Sequence, residues 1–299
     1  MEAGDGKNTQ HANETIKLLL ERSSSRKFLD KKVPADILHT ILSAGVHAPT
    51  GGNLQPYSII RIEDPAVRKK LAKINLNQPY VEAAPVSLLF CIDWRRLRRW
   101  ADLEVAPFSA TSSFRHFWIS FQDTVIAAQN ISTAADALGL GSVYIGTVLE
   151  CFREIRDMFD LPDEVFPVVL LCIGYPEKRA EPRNKLPVEV VVHDEKYRDL
   201  PDEELLEAYR VKYKDTTFTV SDDLLDKISR ACRAVGGEVL EKKCMESIGA
   251  AGHIKMAQRY FGTHYEAGEM ARGNEQYIKI MEDFGFNWFK EFIPCDESK

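Results

Sequence analysis

The sequence predicts a layered domain of class α/β or α+β over about residues 15 to 200, on two kinds of segment. Val86 to Ile92 (VSLLFCI) and Val168 to Ile173 (VVLLCI) are nearly continuous apolar runs, as expected of strands covered on both faces. Between them lies the longest helical pattern, Phe117 to Leu138, where Ala127, Ala128, Ala134, Ala135 and Ala137 make a close-packing face. Strands with intervening helices are the pattern of layers around one core.

Thr15 to Leu20 reads as a short amphipathic helix, and Pro34 starts a second, Ala35 to Val46, ending near Ala48-Pro49. Tyr57 to Ile62 (YSIIRI) is a β-branched run after the Gly51-Gly52 turn and predicts a strand. Pro65 to Ile74 has helical spacing, with Asp64 placed to cap it. From Trp94 to Ser113 periodicity is lost, which predicts a long excursion. Gly139 stops the long helix. Val143 to Ile145 reads as a brief strand, and Leu149 to Phe159 as a helix closed by Leu161-Pro162. Val188 to Val192 (VEVVV) predicts a third buried strand, after the polar stretch Glu177 to Lys185. The remainder is helical and charged, with helical spacing over Asp202 to Tyr213, Ser221 to Val235 and Asn274 to Phe284. The expected organisation is a flexible stretch 1–14, a layered domain 15–200 and a helical extension 201–299.

Composition narrows the function classes. The 299 residues are 44% hydrophobic and 28% charged with net charge −6, so no global basic field favours nucleic acid or an anionic membrane. Six cysteines without a close pair read as thiols of a reducing compartment, which predicts a cytoplasmic protein. The first thirteen residues carry no apolar run of the signal-peptide kind. Phe117 to Leu138 holds Gln122, Asp123, Gln129, Asn130 and Asp136, too polar a set to span a bilayer.

The common phosphate and nucleophile signatures, G-x-x-x-x-G-K-[ST], G-x-G-x-x-G and G-x-S-x-G, are absent from the sequence. His253 and His264 lack zinc-type spacing and read as ordinary histidines. Arg95, Arg96, Arg98 and Arg99 between Trp94 and Trp100 fit either a nucleic-acid patch or a salt-bridged solvated loop, and the acidic total favours the loop.

Three segments beside the core carry candidate chemistry. Arg22-Ser23-Ser24-Ser25-Arg26-Lys27-Phe28 gathers guanidinium forks and hydroxyls, the donors that hold a phosphate dianion where little water remains. Composition alone fits a solvated basic loop as well. In Ala48 to Tyr57 two glycines permit close backbone approach, and Asn53 and Gln55 offer amides. Gly139 to Thr147 joins the long helix to the next. The last two also read simply as a turn and a helix cap.

In this order the segments resemble the nitroreductase / NAD(P)H-dependent flavin reductase family. The family's R-x-S-x-[RK]-x-F motif is matched by Arg22, Ser24, Arg26 and Phe28. Its A-P-[ST]-x-x-N-x-Q-P-[WY] loop is matched by Ala48, Pro49, Thr50, Asn53, Gln55, Pro56 and Tyr57. Its G-L-G-x-x-x-I-G segment corresponds to Gly139 through Gly146, and its late basic-x-basic-L-P element to Arg183, Lys185, Leu186 and Pro187. The resemblance covers about residues 15 to 200. It implies a three-layer α/β/α fold of class α+β, with a mixed, mostly antiparallel sheet between helices, and a homodimer with FMN at the subunit interface.

By the same resemblance, Arg22, Ser23, Ser24, Arg26, Arg183 and Lys185 hold the ribityl oxygens and phosphate. Pro49, Thr50, Gly51 and Asn53 reach the flavin from the other protomer. Gln78 meets the isoalloxazine edge, and Ile145, Gly146 and Thr147 present backbone amides to the ring. Some larger members carry glycine where this chain has Thr147, which narrows the space above the flavin. The implied reaction is ping-pong, from NAD(P)H through FMN to a small acceptor such as a nitroaromatic, a quinone or free flavin, with no catalytic side chain and no metal. The alternatives are a dehydrogenase or dehalogenase for one metabolite, or a flavin-binding protein without turnover. For the tail two readings stand: packing on its own subunit, or wrapping the partner.

Overall fold

The computed structural model describes residues 13–294; the expected flexible stretch 1–14, apart from its last two residues, and Cys295 lie outside the described residues. The chain divides into two compact units, one built from residues up to Pro182 and from Tyr277 onward, the other from Arg183–Gln276.

In the first unit α1 (Glu14–Glu21) starts at Asn13, whose side-chain oxygen accepts the Ile16 N–H at 3.0 Å. There follow α2 (Ala35–Val46), β1 (Tyr57–Ile62), α3 (Pro65–Ile74), α4 (Pro79–Ala83), β2 (Val86–Asp93) and α5 (Arg95–Leu103). Asp64 caps α3 by accepting the Ala66 and Val67 N–H groups at 2.8 and 3.0 Å. Then come the long α6 (Phe114–Ala137), β3 (Gly141–Ile145), α7 (Phe152–Met158) and β4 (Val165–Gly174).

The four strands form one sheet in the order β1-β2-β4-β3. Every pairing among them is antiparallel, so the parallel component of a mixed sheet is not seen among the described residues. Alternation along β2 explains the layers. Val86, Leu88 and Phe90 pack with α2 and α6 through Ile41, Ala128, Ile131 and Ala135. Leu89 and Cys91 point into the opposite cluster, with Leu71, Val81 and Ile155 of the helices α3, α4 and α7. Helices therefore cover both faces of the sheet, and both central strands are buried almost throughout.

The second unit holds α8 (Val188–Val191), α9 (Asp202–Tyr213), β5 (Thr217–Phe218), α10 (Asp222–Ala251), β6 (Ile254–Lys255) and α11 (Met256–Arg259). Its core gathers Ile228, Ile248 and Ile254. With α12 (Asn274–Asp283) the chain returns to the first unit, where Ile280, Phe284 and Phe286 are buried among Phe152 and Phe166. The units thus divide the chain differently from the expected 15–200 and 201–299, because the first core recruits apolar side chains from the far end.

Two segments depart from the sequence reading. Val188 to Val192 is a helical turn rather than a buried strand: Val192 N–H donates to Val188 O at 2.8 Å, and Val188, Val191 and Val192 are exposed. Pro187, with φ −55°, leads into that turn. The excursion after Trp94 contains α5, in which Leu97, Trp100 and Ala101 keep helical spacing among arginines. Leu97 packs against the core, and polar contacts hold the helix as well. Asp93 accepts the Arg96 N–H at 3.0 Å, Arg96 Nη2 donates to Tyr57 O at 2.9 Å, and Arg98 donates to Glu164 at 2.6 and 2.7 Å. Much of the basic run is therefore engaged within the fold. Among the described residues no helix is long and apolar enough to cross a membrane.

Candidate functional site

The segment after α1 runs extended along the ends of β3 and β4. Ser25 N–H donates to Ser142 O at 3.0 Å, Leu29 N–H to Tyr175 O at 2.8 Å, and Glu177 N–H to Lys27 O at 3.2 Å. Phe28 is buried and bridges to Pro176. Glycine is required at Gly141, since a Cβ there would collide with Ser25 Oγ. These contacts fix the stretch against the start of β3 and leave Ser23 and Ser24 half-buried and Arg26 exposed.

Arg22 is turned inward. Its Nε lies 3.7 Å from Asp136 Oδ2, yet Nε and Nη2 are buried with no hydrogen-bond acceptor in the protein. Asp136, at the end of α6, is shared with Arg179, whose Nη1 donates to Oδ1 at 3.0 Å. Burial pushes the Asp136 carboxyl above its ordinary value, against the hydrogen bond and charge of Arg179 and the charge of Arg22. Arg179 also donates to Leu140 O at 2.8 Å and Asp136 O at 3.3 Å, closing the C-terminus of α6. Sequence reasoning missed Arg179 because it sits in an irregular polar stretch; only the helix end it caps betrays it. Beside the same cation the Tyr144 phenol is pushed up to about 12 by burial, opposed by Arg22.

At the other end of β3, about 13 Å away at a strand rise of about 3.3 Å, a second group of polar residues converges. Ile145 is buried and Gly146 exposed, and a Cβ at Gly146 would meet open space. The Gln78 amide donates to Thr147 Oγ1 at 2.8 Å. Thr147 Oγ1 donates to Asn75 Oδ1 at 3.2 Å, and Asn75 Nδ2 to Leu71 O at 3.0 Å. The loop before α4 and the turn after β3 are thereby joined. Asn75, fully buried, is the member that sequence reasoning missed.

The Ala48–Tyr57 loop lies elsewhere on α6. Gly51 N–H donates to both carboxylate oxygens of Asp123 at 3.1 Å, and Asp123 is raised by burial and lowered by that bond. Thr50 Oγ1 accepts the Gln55 N–H at 3.2 Å, and the Gln55 side-chain amide donates to Val46 O at 2.9 Å. Gln55 therefore shapes the loop, while Pro49, Gly51 and Asn53 face outward. Asp123 and Asp136 sit on one helix about 20 Å apart at about 1.5 Å per residue, so within one chain this loop and Arg22 are well separated. Arg183 and Lys185 belong to the second unit and are exposed. Among the described residues no cluster of three or more His, Cys, Asp or Glu could hold a metal ion.

The sequence profile of the nitroreductase family matches residues 19–175. An NADPH-flavin oxidoreductase of Vibrio harveyi is 35% identical over 188 residues, 63% of this chain and 76% of its own length. An FMN reductase (NAD(P)H) of Bacillus subtilis is 35% identical over 186 residues, 62% of this chain and 75% of its own. The solved structure of NfrA2 from B. megaterium is 25% identical, with a TM-score of 0.70 over 93% of this chain and 100% of that one.

Proposed function

The chain belongs to the nitroreductase family, and from that premise we propose that it is an FMN-dependent oxidoreductase drawing hydride from NAD(P)H for a small acceptor such as a nitroaromatic, a quinone or free flavin. The observation that carries the reading is the Arg22 guanidinium, with two buried nitrogens that lack an acceptor, beside two half-buried serines. Asp136 faces its charge at 3.7 Å without accepting from those nitrogens, and buried donors without partners are costly. The donor set therefore fits a phosphate. When bound, FMN supplies the hydride chemistry that the side chains lack.

In this reading Arg22, Ser23, Ser24 and Arg26 hold the phosphate and ribityl end, while Arg183 and Lys185 are exposed cations of the second unit. Ile145, Gly146 and Thr147 present backbone to the ring, and Gln78 orients its edge. The distance along β3 between the two poles is one an extended mononucleotide can bridge. Pro49, Thr50, Gly51 and Asn53 serve the site of a second copy, in keeping with the outward placement of Pro49, Gly51 and Asn53 and the loop's separation from Arg22. The acceptor uses the same opening over Gly146 after nicotinamide leaves, a ping-pong order.

The homodimer has its own support. Phe114, Trp118, Phe121 and Val125 are 37 to 52% exposed, and their spacing places them on one stripe of α6. A stripe of that kind calls for a cover. A cytoplasmic location accords with the described cysteines being unpaired.

The visible spectrum of purified protein, identification of the released chromophore and steady-state NAD(P)H oxidation with a quinone test the reading together. Flavin bands, FMN on release and parallel-line kinetics are expected. A colourless protein that takes up no FMN overturns the cofactor assignment. A yellow protein without turnover leaves a flavin-binding protein.

A further inference from the structure

Helix α10 is not one rod. Gly237 has φ 63° and ψ −165°, a conformation open to glycine and not to other residues, and it breaks the helix into two arms. The arms are tied side by side by polar contacts. Ser229 Oγ donates to Glu241 Oε1 at 2.5 Å, and Arg233 donates to the two Glu241 oxygens at 2.7 and 3.0 Å. On their apolar side Ile228 of one arm and Ile248 of the other are buried in the same cluster.

This register decides what else meets. One helical turn toward the break from Ile228 and from Ile248 brings the same two faces to Cys232 and Cys244. Both thiols are half-buried and pack against that cluster. Burial, and then a hydrogen bond with Cys244, push the Cys232 thiol up to about 11. Cys91, Cys151 and Cys172 are buried away from solvent in the first unit.

We propose that Cys232 and Cys244 are a dithiol–disulfide pair, a redox modification site that clasps the two arms of α10. The oxidant class is a peroxide. One cysteine, as thiolate, attacks a peroxide oxygen, the O–O bond breaks, and the departing hydroxide is protonated to water, leaving a sulfenic acid. The second thiol attacks that sulfur, the S–O bond breaks, and a second water leaves as the S–S bond forms. Two thiols and one peroxide thus give one disulfide and two waters. A small dithiol reverses the step by exchange.

The test treats the full-length protein with hydrogen peroxide and quenches with a thiol alkylator before denaturation. The expected result is loss of two titratable thiols, an intact mass lighter by two hydrogens, and one non-reducing peptide joining Cys232 to Cys244. The thermal midpoint should rise by a few degrees, as expected for a loop constraint on the unfolded chain, and dithiothreitol should reverse both changes. Cys232→Ser and Cys244→Ser should each abolish the link and the thermal shift. Cys232→Ala, measured alongside with far-UV dichroism, separates loss of the link from loss of fold. Oxygen addition on either cysteine without a crosslink, crosslinks between chains, or six unchanged thiols would each overturn the proposal.

Discussion

The Gln78 amide donates to the Thr147 hydroxyl at 2.8 Å, and a backbone carbonyl sets the direction of that bond. Leu71 O can only accept, so Asn75 turns its NH2 toward it and its oxygen toward Thr147. The single Thr147 proton goes to Asn75, and the hydroxyl must then accept from Gln78. Gln78 keeps its carbonyl oxygen and its second N–H free for a ligand. Thr147→Val should break both bonds and leave the buried Asn75 oxygen unpaired, at a cost of about 1–3 kcal/mol. Urea unfolding of the apoprotein measures it, and an unchanged midpoint would remove the chain of bonds from the account.

Arg22 is the half-buried cation of the Arg22 to Phe28 segment and Arg26 the exposed one. Arg22→Ala should therefore weaken FMN binding by about 2 kcal/mol, roughly 30-fold in Kd. Arg26→Ala should weaken it less, since solvent screens its charge. Fluorescence titration of apoprotein with FMN gives both numbers. Equal affinities for the Arg22 variant and the parent would place the phosphate elsewhere.

Burial raises the Asp136 carboxyl above its ordinary value of 3.8, with Arg179 and Arg22 opposing. The folded chain then holds this proton at a higher pH than the unfolded chain does. Its contribution to stability is fully present below pH 3.8 and is lost as pH rises through the raised value. Asp136→Asn should remove that downward component while offsetting the whole curve. Urea midpoints across about pH 3.5 to 6 should show a flatter profile in the variant; identical slopes would refute the shift.

The α6 stripe of Phe114, Trp118, Phe121 and Val125 is apolar and exposed within one chain. If a second copy covers it, Trp118→Glu buries a charge at that contact and should dissociate the dimer, with flavin loss in parallel. Sedimentation at micromolar concentration decides. A variant that stays dimeric and yellow would move the interface off this stripe.

The sheet and its covering helices were legible because burial on both faces leaves unbroken apolar runs. Val86 to Ile92 is the plainest case, matching its strand within a residue; Tyr57 to Ile62, an edge strand with Arg61 exposed, was legible by its β-branched residues instead. The Arg22 to Phe28 segment stood out by its density of donors. The partners were not legible. Arg179 and Asn75 act through a helix end and a backbone carbonyl, contacts that no spacing rule encodes. Val188 to Val192 misled because β-branched residues favour strands only where a pleated neighbour exists. The helix α5 was hidden because arginines outnumber its few apolar positions and one of its partners, Glu164, lies far along the chain.

The end of the chain belongs to the first core, and its removal should be felt there. Phe284 and Phe286 are fully buried, with ring centroids 5.1 and 6.1 Å from Phe166. Phe284 O accepts the Glu164 N–H at 2.7 Å, and Trp288 stacks on Phe117 of α6 at 5.5 Å. A chain ending at Leu200 loses these rings together and exposes Phe166 and Phe152 beneath them. Deleting one buried phenylalanine costs about 3–5 kcal/mol, and a typical domain holds only about 5–15 kcal/mol in all. The shortened chain is therefore expected to be insoluble or unfolded rather than merely altered in acceptor kinetics. Phe284→Ala in the full-length protein gives the graded version, with a lower urea midpoint and flavin retained below it. A soluble, flavin-bound chain ending at Leu200, with a normal unfolding midpoint, would show that these rings cover the core without supporting it.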